Sequence, residues 1–246
     1  MPPGIDLLYA IGLPPEKAIE YFKSKGYEIT WNWYDMLGEA HNKAFIVAKA
    51  MNQDILDDIR SMVQKALDEG ITVQQFQNEL EPMLKAKGWW GTLETPDGNV
   101  QLGSPYRLKT IYRTNMQVSY MAGRERSQLE NVDNRPFWEY VAIMDARTRP
   151  AHAALHGRVF RYDDPFWDSF YPPNGFNCRC RVRALDGAEV QQKGLRIEET
   201  AMNGSLQTEN RMIDRTGKEE QVGVYTTSTG IKIRPDPGWS YNPGKN

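Results

Sequence analysis

Four side chains within residues 147–185 could bind a metal ion. They are His152, His156, Cys178 and Cys180. Cysteines two apart in an extended segment point to the same side of the chain. Two histidines and two cysteines form a ligand set that zinc prefers in closed structural sites, although this spacing differs from that of standard zinc fingers. Alternatively, the histidines hydrogen-bond to backbone carbonyls and the cysteines pack as small apolar groups.

A short helix is predicted to bring the two histidines together. Thr148 is a candidate N-cap, Pro150 fits an early helical position, and Gly157 fits a stop. His152 and His156 are four residues apart, so on a regular helix they would lie on one face and could share one ion.

Catalysis by these residues is disfavoured. A four-ligand metal site leaves no position for a water molecule, and His-x3-His lacks the adjacent glutamate of a metalloprotease helix. Nearby arginines could lower the pKa of Cys178, but nothing in the spacing fixes a nucleophile beside its base. We therefore expect no enzymatic activity.

The same stretch is rich in positive charge and in aromatic residues. Residues 147–183 contain seven arginines and three aspartates. Arginines among aromatic side chains can grip phosphates and stack on bases. The favoured alternative is that the aspartates pair with several arginines and the aromatic residues are buried. The arginines that could contact nucleic acid or an acidic partner are Arg158, Arg161, Arg179, Arg181 and Arg183.

Composition limits the classes of function. The 246 residues are 40% hydrophobic, and 30 basic against 32 acidic side chains give a net charge of −2. The chain can therefore fill a core, and it has no global field that would attract DNA or anionic lipid. No apolar run is long enough for a membrane helix, and the first residues do not resemble a signal peptide. We expect synthesis in the cytoplasm, with both cysteines reduced.

The periodicity of apolar residues predicts an α+β protein with a mainly helical first half. Helices are expected over residues 13–26, 38–68 and 105–130, and a capping box at Thr72 begins a further helix that Pro82 kinks or breaks. We predict a helical docking region over 1–104, with a hairpin or loop at 88–104. A small mixed α/β domain with a short sheet follows over 105–190, and 191–246 is predicted to be β-rich with an extended tail.

Three segments in order resemble the Mu F family of minor head, or head morphogenesis, proteins of tailed bacteriophages and prophages. The segments are YRTNMQVSYMAGRERSQLE, WEYVAIMDARTRPAHAALHGRVF and DDPFWDSFYPPNGFNCRCRVRAL. The elements that carry the resemblance are Arg113, Thr114, Asp145, Arg147, Thr148, Arg149, Pro150, His152, His156, Gly157, Pro172, Pro173, Gly175, Cys178 and Cys180.

The resemblance implies a protein present in few copies per head, associated with the portal vertex and needed for head assembly. Its implied partners are the portal protein, other phage head proteins and the packaged DNA, and its implied location is the virion. It implies no reaction, so the motif residues would organise the domain, with or without structural zinc.

Three hypotheses follow from the sequence. The first is a structural virion component whose helical half docks on the portal protein, supported by a predicted 30-residue helix with apolar residues on more than one side. The second is a DNA-binding or ejection-associated virion protein, for which a steep salt dependence of binding would be expected. The third, which the sequence disfavours, is a metal-dependent hydrolase with an exchangeable water.

Overall fold

The protein is described here by a computed structural model that covers residues 16–96, 98–213 and 218–245. These ranges contain nine helices and eleven strands in four small sheets, which makes the protein a mixed α/β protein. The chain divides into two compact units, Met1–Tyr120 and Met121–Asn246, and the boundary falls within a long helix. The predicted division at 104 and 190 stays a prediction.

The first unit is built from helices and two small strand pairs. The parallel pair joins β1 to β2, and the antiparallel hairpin joins β3 to β4. Its elements are α1 (Glu16–Ser24), β1 (Gly26–Tyr27), α2 (Ala40–Lys43), β2 (Ala44–Phe45), α3 (Gln53–Glu69), α4 (Val73–Ala86), β3 (Thr92–Thr95), β4 (Gly98–Gln101) and the start of α5 (Pro105–Leu129). Residues 88–104, for which a hairpin or a loop is predicted, contain the antiparallel pair of β3 and β4. Asp97 lies outside the described residues, as do residues 13–15 of the helix predicted over 13–26.

The predicted helix over 38–68 is wrong. The chain forms the short α2, leaves the helix at Ala44, and reverses where Lys49 adopts a positive φ of 68°. Helix α3 then begins after Asn52, whose side chain accepts a hydrogen bond from the backbone N–H of Asp54. Val47 is nevertheless buried in a non-helical segment, whereas Met51 is 51% exposed, so the apolar pattern marked the core of this stretch only in part.

The capping box predicted for the next helix is confirmed. The Thr72 side chain accepts from the backbone N–H of Gln75, and the Gln75 side chain accepts from the backbone N–H of Thr72. Helix α4 continues past Pro82 to Ala86, so this proline does not end the helix. The buried core of this unit gathers side chains from α1, β2, α3, α4 and α5, among them Phe22, Phe45, Ile59, Phe76, Leu80 and Leu108.

The second unit contains two sheets with short helices. One sheet has the strand order β7–β5–β6–β8, in which β5 runs antiparallel to β6 and β7, and the other has the order β11–β10–β9. The elements are β5 (Phe137–Val141), α6 (Pro150–Ala153), β6 (Val159–Arg161), α7 (Phe166–Phe170), β7 (Arg181–Leu185), α8 (Gly187–Gln192), β8 (Ile197–Glu198), α9 (Thr200–Asn203), β9 (Leu206–Met212), β10 (Glu219–Thr226) and β11 (Lys232–Ile233).

An aromatic cluster forms the core of the second unit. Phe166 stacks on Phe160 and on Phe170, and Trp138 makes edge contacts with Trp167 and Tyr171. Aromatic pairs in such geometries add stability beyond the area that they bury. The aromatic residues of DDPFWDSFY are therefore buried, as the favoured interpretation expected, while Asp163, Pro165 and Asp168 are exposed.

The last described residues pack on this unit without forming a helix or strand. Trp239, Tyr241 and Asn242 are buried. The backbone N–H of Gly238 donates to the Glu220 carboxylate at 2.8 and 2.9 Å. We refer to residues 234–245 as the terminal segment.

Candidate metal centre

Three of the four predicted ligands meet in the core of the second unit. His152 lies in α6, and Cys178 and Cys180 precede β7. The Nδ1 atom of His152 lies 3.6 Å from the sulfur of Cys178 and 3.5 Å from that of Cys180. All three side chains are buried, and their ligand atoms lie within 4.8 Å of one another.

These separations fit a tetrahedral ion. With Zn–N near 2.05 Å and Zn–S near 2.3 Å, tetrahedral angles place a nitrogen and a sulfur ligand roughly 3.6 Å apart. The observed distances from Nδ1 to the two sulfurs, 3.6 and 3.5 Å, match that value. The donor set therefore fits zinc in both chemistry and spacing.

His156 does not belong to this group, so among the described residues the cluster has three ligands rather than the four of the closed site predicted from the sequence. The argument against catalysis that rested on a four-ligand site does not apply to three ligands. The Nδ1 of His156 instead accepts a hydrogen bond from the backbone N–H of Ala142 at 3.2 Å.

The predicted helix spans only Pro150–Ala153, and its N-cap is Arg149 rather than Thr148. Beyond it, the N–H groups of Leu155 and His156 bond three residues back, to His152 and Ala153. Such tight turns advance about 120° per residue, so residues four apart no longer share a face.

The segment before α6 is held by a charged clamp. Arg179 donates to both carboxylate oxygens of Asp145, at 2.8 and 2.6 Å, and the backbone N–H of Arg147 donates to the same carboxylate. Hydrogen bonds from Arg179, followed by those from Arg147, hold the pKa of Asp145 well below its ordinary value. Arg179 stands between Cys178 and Cys180, so the clamp ties the backbone that carries both sulfurs to the segment before α6.

The two thiols differ in acidity. Burial raises the pKa of Cys178, but hydrogen bonds from Cys180 and His152 outweigh burial and leave that pKa well below its ordinary value. A hydrogen bond to Cys178, together with burial, raises the pKa of Cys180. A thiolate is the form of cysteine that binds a metal.

The loop over 171–177 lies beside the cluster. Asn174 is buried, and its Oδ1 accepts from the hydroxyl of Tyr140 at 2.8 Å. A Cβ on Gly175 would lie 2.2 Å from Oδ2 of Asp236, so the Asp236 side chain would have to move to admit a larger residue there. The peptide between Pro172 and Pro173 is cis. Gly157 has φ of 77°, a conformation that favours glycine, and its N–H donates to the Tyr140 carbonyl.

The other motif residues lie elsewhere in the fold. Arg113 and Thr114 are part of α5, within the first unit. The hydroxyl of Thr148 bonds to the Ile143 carbonyl and lies 3.3 Å from Asp145. Arg149 pairs with Asp236 at 3.2 Å and donates to the Phe176 carbonyl.

Most of the predicted contact arginines are paired within the protein. Arg158 pairs with Glu198 at 2.6 Å and Arg161 with Asp163 at 2.8 Å, while Arg179 holds Asp145. Arg183 donates through Nε to Glu139 at 2.8 Å, and Arg181 lies in β7. Most of the arginines that would face a phosphate backbone are therefore paired with carboxylates of the same unit.

Sequence reasoning missed two residues that touch the cluster. Tyr140 lies within hydrogen-bonding reach of Cys180, and the backbone of Asn174 bonds to Cys178. A signal for Asn174 is its position between Pro173 and Gly175, two residues that carry the family resemblance. Nothing in the alternating strand sequence FWEYV distinguishes Tyr140 from an ordinary core residue.

Comparison with known proteins agrees with the motif. The family described as Phage Mu protein F like protein matches residues 57–183, just over half of the chain. The chain belongs to this Mu F-like family. The match begins at residue 57, ahead of the first of the three segments that carry the resemblance.

Two relatives match nearly the whole Mu F-like chain. "Putative capsid assembly protein F" of Escherichia phage Mu is 48% identical over 252 residues, covering 98% of this chain and 56% of the relative. "Mu-like prophage FluMu F protein" of Haemophilus influenzae is 46% identical over 224 residues, covering 88% of this chain and 53% of the relative. The chain thus spans about half the length of these relatives. No solved structure matches it. Among the described residues, no helix is both long and apolar enough to cross a membrane.

Proposed function

We propose that this Mu F-like chain acts in assembly of a phage head. The observation that carries the proposal is the 48% identity, over 98% of this chain, to a protein named as a putative capsid assembly protein of phage Mu. In this proposal the chain acts by binding other head proteins, in the host cytoplasm and in the virion, and it catalyses no reaction.

The finer form of the proposal is a minor head protein, present in low copy number at the portal vertex. Residues 1–104 would be its helical docking region, and the terminal segment its extended tail. The predicted 30-residue helix cannot support docking, because residues 44–52 interrupt it in the structure. Support comes instead from Tyr27, Ile29 and Trp31, alternate residues that are each at least 40% exposed. Exposed apolar side chains in a row are typical of surfaces that bind a partner.

The test is the composition of purified heads. Quantitative mass spectrometry should find the chain in heads at a small fraction of the copy number of the shell protein. Cross-linking in intact heads should join its first unit to the portal protein. A chain absent from heads at every stage of assembly would contradict the proposal, and cross-links to shell subunits alone would contradict the portal position.

Binding of packaged DNA is the alternative role, and the internal pairing of the arginines weighs against it. A net charge of −2 and arginines paired with carboxylates predict weak association with duplex DNA that changes little with salt. Affinity that falls steeply as salt rises would favour the DNA-binding role instead.

We also propose that the cluster binds one structural zinc ion through His152, Cys178 and Cys180. The support is the match between the Nδ1-to-sulfur distances and tetrahedral zinc, together with the burial of all three side chains. Zinc bound in the folded state alone would stabilise the domain by mass action.

The zinc proposal is tested by metal analysis of the purified chain, with His156→Asn as the matched control. We expect one zinc per chain in the wild type and in this control, and loss of the metal in His152→Asn and in Cys178→Ser. Removal of zinc from the wild type by a chelator should lower the melting temperature, and added zinc should restore it. No zinc after reconstitution, or equal loss in both histidine variants, would refute the proposal.

A further inference from the structure

Two buried side chains form a second layer around the proposed metal ligands. The hydroxyl of Tyr140 lies 2.8 Å from Oδ1 of Asn174 and also within hydrogen-bonding reach of the Cys180 sulfur. The backbone of Asn174 bonds to the sulfur of Cys178. Each sulfur therefore has a polar neighbour other than the cluster itself, in a site that is otherwise apolar.

The burial of these groups makes their arrangement specific. Tyr140 is 0% exposed and Asn174 is 1% exposed. A buried polar group without a partner is costly, so side chains of this kind are retained where they bond to something. The amide Nδ2 of Asn174 has no hydrogen-bond partner among the described residues. The bond to Tyr140 is thus the reason in this structure for a buried amide at position 174.

The two orientations of the Asn174 amide give the pair two hydrogen-bond directions. Oxygen and nitrogen of an amide occupy nearly the same positions when the group is turned over. With Nδ2 facing Tyr140, the amide donates to the phenol oxygen, and the phenol proton is free to point at Cys180. A thiolate bound to a metal accepts such a bond, since it carries negative charge.

We propose that Tyr140 and Asn174 are positioning residues of the metal centre, in which Asn174 Nδ2 donates to the Tyr140 oxygen and the Tyr140 hydroxyl donates to the Cys180 thiolate. This inference rests on the proposed zinc site. Hydrogen bonds of this kind orient metal ligands and stabilise their charge, and their loss typically lowers metal affinity about 10- to 100-fold.

The chain offers a matched control for the tyrosine. Tyr171 is also fully buried in the same core, and its hydroxyl donates to Oε1 of Gln128 at 2.7 Å. Tyr140→Phe and Tyr171→Phe each remove one buried hydroxyl and one side-chain hydrogen bond. Among the described residues, Tyr140 contacts Cys180, whereas Tyr171 contacts no cysteine.

The experiment measures the zinc affinity of the full chain by competition with a chromophoric chelator, and the melting temperature of the metal-free protein beside it. Tyr140→Phe should lower zinc affinity by about 10- to 100-fold. Tyr171→Phe should leave the zinc affinity unchanged. Both tyrosine variants should lower the melting temperature of the metal-free chain. In cobalt-loaded protein, Tyr140→Phe should also shift the thiolate-to-metal absorption band.

A second pair of variants covers the case in which Tyr140→Phe fails to fold. Asn174→Ala should weaken zinc binding several-fold, whereas Gln128→Ala, which removes the partner of Tyr171, should not. Equal zinc affinity in the Tyr140 or Asn174 variant and its control would overturn the inference and leave the zinc site standing. A wild-type chain that binds no zinc would instead refute the zinc proposal and this inference with it.

Discussion

The direction of a few side chains decides whether residues 147–185 form a metal centre. The alternation of Cys178, Arg179 and Cys180 predicted that both sulfurs face one way, and in the structure both are buried while Arg179 clamps Asp145. The position of His156 could not be predicted in the same manner. It depends on turns that bond three residues back, and the sequence does not distinguish these from a regular helix.

A second property that single residues decide is the pH dependence of stability, through the buried carboxylic acid of Glu125. Its Oε1 accepts from Asn242 at 2.9 Å, and its Oε2 has no hydrogen-bond partner among the described residues. Burial raises the pKa of this carboxyl above its ordinary value, against the opposing effect of Asn242. The folded state therefore holds the proton more tightly than the unfolded state, so this group costs stability at high pH and the cost falls as pH falls.

We predict that Glu125→Gln raises the free energy of unfolding at neutral pH, by about 1–3 kcal/mol, because no charge is then buried. The difference from wild type should shrink as pH falls through the raised pKa of Glu125 toward the ordinary glutamate value. Denaturant unfolding at several pH values measures it, with the exposed Glu94→Gln as a control. A difference that stays constant with pH would show that charge burial is not the cause.

Elements with a local signal were predicted better than elements set by long-range packing. The capping box at Thr72 and the hairpin within 88–104 rest on residues close in sequence, and both are present. The helix predicted over 38–68 failed because core packing and helical spacing select the same apolar residues in that stretch. In the structure the side chain of Asn52 caps the helix that begins at Gln53. An asparagine is too common in sequences to predict a helix start by itself.

The loop over 171–177 gives a prediction at the scale of elements. Gly175→Ala would place a methyl group against Asp236, which must move and weaken its ion pair with Arg149. We expect a loss of about 1–3 kcal/mol in the free energy of unfolding, as for other overpacked sites. Because the loop carries Asn174, zinc affinity should fall as well.

Gly187→Ala is the control for this variant, since the nearest atom to its added methyl group would be 4.0 Å away. Denaturant unfolding should show little change for it. Equal stability of the two alanine variants would mean that the terminal segment does not restrain the loop.

Identity of the whole molecule came from long motifs rather than from composition. A net charge near zero and a mixed α/β pattern fit many functions, whereas the ordered motif from Arg113 to Cys180 indicated the Mu F family, and the family match confirmed it. The portal as a partner is not readable from either unit, because a docking surface is defined by a partner that the sequence does not contain.

The most direct test of head assembly is electron microscopy of lysates from a phage or prophage that lacks this coding region. We expect aberrant or missing heads, and complementation with the wild-type gene should restore DNA-filled heads and infectious titre. Cys178→Ser should restore them poorly if the metal centre holds the domain together, and His156→Asn should restore them well. Normal heads and an unchanged titre without the gene would contradict the account.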